Sequence, residues 1–90
     1  MSEQQSHELF SFPCDFPIKV FGLACDEFEI AVLSIIRQHT ADLSTDAIRC
    51  RYSKDNKYIS LTITIKAENQ PQLDAIYQAL TQCKHVIMAL

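Results

Sequence analysis

Four thiols, Cys14, Cys25, Cys50 and Cys83, are the side chains in this sequence best suited to metal, redox or covalent chemistry. Soft metals and dithiol couples need two sulfurs that reach one centre, usually from a CxxC turn. No CxxC occurs here. The four are read as free thiols that pack as small hydrophobes. Cys25 stands before Asp26, Glu27 and Glu29, so the helix start that would favour its thiolate is opposed by neighbouring carboxylates. Those acids are ordinary partners of a helix N-terminus rather than a matched acid/base pair. His39 ends a run of apolar helix positions, where an imidazole stabilises the carbonyl end, and His85 falls on a solvent phase. No nucleophile, base and orienting group can be assembled from these residues. The single glycine, Gly22, excludes Walker-type phosphate loops and paired-glycine dinucleotide loops. The expectation is a protein that is not an enzyme and carries no cofactor and no metal.

What remains is charge and exposed surface. Arg49, Arg51, Lys54 and Lys57 gather around Asp55. They read as a solvated hairpin, with a patch for RNA or an acidic protein as the alternative. A net charge of -3, from 8 basic and 11 acidic residues, argues against nucleic acid, because that affinity rests on neutralising many phosphates. The longest apolar runs, such as residues 30–36, fall far short of the roughly 20 residues a bilayer helix needs, so no membrane is expected. Residues 1–7 are polar and include Glu3, unlike the basic and apolar regions of a secretory leader. The expected location is the cytoplasm.

The elements that must position these groups follow from periodicity. Residues 1–12 read as a flexible arm and 13–90 as one domain. Phe16, Ile18 and Val20 alternate with Pro17, Lys19 and Phe21 in a first strand that Gly22 ends. Asp26, with Glu29 three residues on, predicts a capping box opening a first helix. That helix places Phe28, Val32, Ile35, Ile36 and His39 on one face. Residues 47–53 form a second strand, with Ile48, Cys50 and Tyr52 inward and Arg49, Arg51 and Ser53 outward. Residues 54–57 turn into the clearest strand, where Ile59, Leu61, Ile63 and Ile65 alternate with Tyr58, Ser60, Thr62 and Thr64. Asn69 caps a second helix, with Pro71 tolerated in its first turn and Leu73, Ile76, Tyr77 and Leu80 as its stripe. A final strand over 84–90 has Val86, Met88 and Leu90 in phase.

Strand, helix, strand, strand, helix, strand with right-handed crossovers gives an α+β ferredoxin-like βαββαβ sandwich, a four-stranded antiparallel sheet with two helices on one face. The other face is left open, and Phe21, Arg49, Arg51, Tyr58 and Ile87 form its expected interaction surface. At this size a domain often gains stability by pairing, so a homo-oligomer or a protein partner is expected. The segments Phe12-Pro13, Lys19-Val20-Phe21-Gly22, the strand from Tyr58 to Ile65 and the ending Val86-Ile87-Met88-Ala89-Leu90 together resemble the YbeD-like family of small bacterial proteins. The resemblance implies a fold similar to ACT regulatory domains, which bind amino acids and related small molecules, usually as dimers. It also implies a small-molecule effector held by the loop after strand one: Gly22, Leu23, Ala24, Cys25 and Asp26. It supplies no catalytic residue.

Overall fold

In the computed structural model, residues 11–41, 43 and 45–90 are described; the arm expected over residues 1–12 lies, up to residue 10, outside them. The elements are β1 (Cys14–Leu23), α1 (Asp26–His39), a 3-10 turn (Thr45–Ala47), β2 (Ile48–Tyr52), β3 (Tyr58–Ala67), α2 (Gln70–Thr81) and β4 (Val86–Ala89). The strands run in the order β2-β3-β1-β4, and every neighbouring pair is antiparallel. This is the ferredoxin-like arrangement that the element order predicts.

β1 and β3 form the spine of the sheet, in unbroken register from Cys14↔Ala67 to Leu23↔Tyr58. Their shared period of two puts Ile18, Val20, Ile59, Leu61, Ile63, Ile65 and Ala67 on one face. All seven are buried, in one cluster with Phe28, Val32 and Ile36 of α1 and Leu73, Ile76 and Leu80 of α2. Fully burying each large aliphatic there stabilises the fold by about 1.5–3 kcal/mol. Phe12 and Cys14 pack against the edge of this cluster.

The helix ends differ in how they are satisfied. Asn69 caps α2 as expected, its side chain accepting the Gln72 N–H at 2.9 Å. α1 begins one residue earlier than the capping-box reading: Cys25 is its N-cap and makes no side-chain cap bond, while Asp26 is already helical. The carboxylates of the first turn then act on the helix dipole rather than as a cap. At the other end His39 Nδ1 donates to the Ile35 carbonyl at 3.0 Å, and Gln72 of α2 donates to the His39 carbonyl at 2.7 Å. The second bond ties the end of α1 to the start of α2.

Gly22 does not end β1; the strand continues to Leu23. Gly22 is buried, and a Cβ there would meet the Phe28 ring at 2.3 Å and the His85 carbonyl at 2.6 Å. The residue is small so that the first large side chain of α1 and the approach to β4 can press on the strand backbone.

One strand departs from expectation in burial and another in phase. Cys50 and Tyr52 are exposed rather than buried. They pair with the buried Leu61 and Ile59, so they do take the helix-side phase, but β2 is an edge strand whose tip the helices leave uncovered. In β4 the register steps from Phe21↔Met88 to Gly22↔Val86, a bulge with Ile87 as its extra residue. Val86 and Ala89 therefore pack against the core, while Met88 and Leu90 are exposed. A bulge also blunts an edge strand against further pairing.

Candidate binding surface

The uncovered sheet face is ordered by its register. One row reads Met88, Phe21, Ser60, Arg51 across the four strands, and the next reads Lys19, Thr62, Arg49. Leu90 extends that second row through paired backbone bonds with Lys19, of 3.0 and 2.7 Å. Leu23 and Tyr58 stand opposite each other at the end of the spine. Of the surface expected from sequence, Phe21, Arg49, Arg51 and Tyr58 thus share one face. Ile87 is exposed in the bulge, and the place across from Phe21 belongs to Met88. The expected phase sets Met88 inward with Val86, and the bulge after Val86 turns it to the open face. Leu23 was legible, being the next position after Phe21 in the alternation.

Charge is divided between the layers. Phase and pairing give the open face Lys19, Arg49, Arg51 and Lys66 against Asp15, while α1 opens with Asp26, Glu27 and Glu29. Among the described residues, no carboxylate forms an ion pair with Lys19, Arg49 or Arg51. A hollow of about 300 Å³ lies among those three cations, Ser60 and Thr62. A second, of about 170 Å³, shares Arg51 and Ser60 with it and is lined by Phe21 and Tyr58. The Lys57 ammonium stands 5.7 Å from the centre of the Tyr58 ring.

The hairpin beside this face closes without Asn-Gly. Ser53 Oγ donates to Asp55 Oδ1 at 2.7 Å, and the Lys57 N–H donates to the same oxygen at 3.1 Å. Asn56 adopts the left-handed φ of 59° that the turn requires, a conformation asparagine tolerates. The Ser53 hydroxyl and the Lys57 N–H hold the Asp55 carboxyl below its ordinary value, so the one acid in this basic stretch is committed to the turn.

The loop expected to hold an effector is distributed over three environments. Gly22 is in the core. Leu23 joins the open face, and Ala24 donates its N–H to the Lys57 carbonyl at 2.9 Å. Cys25 and Asp26 are exposed at the start of α1. Asp26 also lines a shallow groove of about 550 Å³ along α1 with Glu29, Ile30, Leu33 and Arg37; Ile30 is 68% exposed there. On β2 the Tyr52 phenol is raised above its ordinary value, chiefly by Cys50 and more weakly by Glu29 and Asp26. Burial raises the Tyr77 phenol, whose hydroxyl donates to the Leu90 carbonyl at 2.8 Å.

Cys14 is half-buried against the core, as the small-hydrophobe reading requires, whereas Cys25 and Cys50 are exposed thiols. The reason is positional: one is a helix N-cap and the other lies on an uncovered edge. Among the described residues, no three His, Cys, Asp or Glu side chains lie close enough to hold a metal ion. No helix of the described residues is long and apolar enough to cross a membrane.

Comparison with solved structures recovers the fold. The solution structure of an H. pylori protein superposes with a TM-score of 0.68 at 15% identity, over 90% of this chain and 85% of the other. The ACT domain of the Chlorobium tepidum GTP pyrophosphokinase superposes with a TM-score of 0.66, also at 15% identity, over 86% and 97%. In sequence, the chain is 45% identical to a UPF0250 protein of Neisseria meningitidis over the full length of both. It is 42% identical to one of Nitrosomonas europaea over 91% of this chain and 94% of that one. Residues 7–90 match the family described as "Protein of unknown function (DUF493)". The kinship with YbeD-like proteins and the ACT-like fold therefore stand together, and the chain belongs to the DUF493 family.

Proposed function

We propose that this chain is a non-catalytic, cytoplasmic, ACT-like regulatory or interaction domain that works through the uncovered face of its sheet and self-associates. The observation that carries the reading is that face itself. It sets Phe21, Leu23, Tyr58 and Met88 beside three cations that no described carboxylate neutralises. The chemistry is that of a surface that receives an acidic or mixed apolar and anionic group. Self-association is supported by two exposed apolar side chains, Tyr52 on the uncovered β2 edge at 58% and Ile30 in the α1 groove at 68%. The loop 22–26 is the other candidate effector site, through Leu23, Cys25 and Asp26.

The test is a thermal-shift screen of the full chain against amino acids, nucleotides and simple carboxylates, run in parallel on Arg49→Glu/Arg51→Glu. A ligand that raises Tm only in the wild type supports the face. Equal stabilisation of both proteins moves the site to loop 22–26, and no stabilisation by any compound removes the small-molecule reading. Sedimentation across micromolar concentrations checks self-association, which a monomer throughout would exclude.

A second reading, RNA or an acidic protein bound through Arg49, Arg51, Lys54 and Lys57, is favoured by the commitment of Asp55 to the turn. Retention of RNA near 50 mM salt, lost steeply as salt rises, is its expected signature.

A further inference from the structure

We infer that the open face holds a free nucleoside phosphate, its phosphate between Lys19, Arg49 and Arg51 and its base against Phe21 and Tyr58. The inference rests on the binding-face reading and names its ligand class.

Three features of the face converge on this chemistry. Lys19 and Arg49 occupy one row two strands apart, about 10 Å between backbones from the strand spacing, and Arg51 lies about 7 Å along the same edge strand as Arg49. Side chains of that length converge on a single dianion, and guanidinium groups match phosphate oxygens in bidentate fashion. The hollow between them adds the hydroxyls of Ser60 and Thr62, which donate to phosphate without adding charge. The adjoining hollow shares Arg51 and Ser60 with the first and adds Phe21 from their own row and Tyr58 from the row beyond. A ligand that fills both must carry an anionic group at one end and a planar ring at the other, as a nucleotide does across its ribose. The first hollow, at about 300 Å³, matches the lower end of small-ligand sites.

A single nucleotide fits better than a strand. A track for polymeric RNA needs cations along its length, whereas here the row beyond Lys19 is Pro17 and Thr64, the next sets Lys66 against Asp15, and the helix layer is acidic.

The experiment is an NMR titration of the full chain with AMP, GMP, CMP, UMP and inorganic phosphate, repeated on Arg49→Ala and Arg51→Ala. Saturable shifts are expected at Phe21, Tyr58, Ser60 and Thr62 with at least one nucleotide, and inorganic phosphate is expected to bind more weakly because it leaves the rings unused. Each arginine variant should lose about tenfold or more in affinity with its other resonances unmoved. Shifts confined to residues 22–26, or no saturation by any nucleotide, would overturn the inference. So would a single-stranded oligonucleotide that binds a hundredfold tighter than every mononucleotide. If amino acids bind in an arginine-dependent way while nucleotides do not, the binding face stands and only its ligand class falls.

Discussion

The two faces of β3 share one backbone and meet opposite fates. Ile59, Leu61, Ile63, Ile65 and Ala67 are buried under both helices, while Tyr58, Ser60, Thr62, Thr64 and Lys66 look out from the other side. The covered face is closed to partners because every position on it is filled. The open face keeps cations, hydroxyls and rings in fixed rows without needing any of them for the core. Stability and the proposed binding therefore fall to different residues of the same strand, and substitutions can separate them.

The sharpest break of that contrast is Leu61→Ala against Thr64→Ala. The first should cost about 2–5 kcal/mol, the loss of buried methyl groups plus a cavity. The second should cost less than about 1 kcal/mol, the span of strand propensity. Urea unfolding measures both, and similar costs would deny the division of roles. Gly22→Ala comes next, at about 1–3 kcal/mol, because its Cβ would press on the Phe28 ring and the His85 carbonyl. A neutral outcome would mean that α1 can shift away from β1.

The helix starts give a smaller pair of effects. Asn69→Ala should cost about 1 kcal/mol of stability, since the Gln72 N–H loses its acceptor. Cys25→Ser should instead add about 0.5–1 kcal/mol, because serine supplies the cap that α1 lacks. If Cys25→Ser leaves the denaturation midpoint unchanged, the N-terminus of α1 is already satisfied by water.

The smallest effect is the pH dependence of the hairpin. Asp55 has its folded pKa lowered from 3.8 by the Ser53 hydroxyl and the Lys57 N–H. A lowered carboxylate pKa means that the stabilisation is present above 3.8 and is lost as pH falls through the folded value. Amide exchange at Lys57 and Tyr58 should accelerate, relative to the intrinsic rate, over that acid range. Asp55→Asn should flatten the response, and an unchanged profile would show that the Ser53 bonds alone hold the turn.

How far the surface was legible depends on where a residue sits relative to the sheet edges. Phe21 and Tyr58 belong to the central strands, where alternation alone fixes the face. Arg49 and Arg51 follow because they oppose Thr62 and Ser60 in register. Ile87 and Met88 exchanged places because a bulge adds one residue and reverses the phase beyond it, and an all-apolar tetrapeptide carries no sign of that step.

Legible from residue order alone were the six elements, the inward rows of β1 and β3, the Asn69 cap and the antiparallel α+β architecture. These are local periodicities of 2 and 3.6, which hydrophobic burial reads directly. Packing in three dimensions settled that Cys50 and Tyr52 stay wet on the helix side, that Gly22 is the seat of Phe28, and that Lys19 joins the two arginines around one hollow. Each depends on where another segment stops or passes, and that distance is set by packing between residues far apart in the chain.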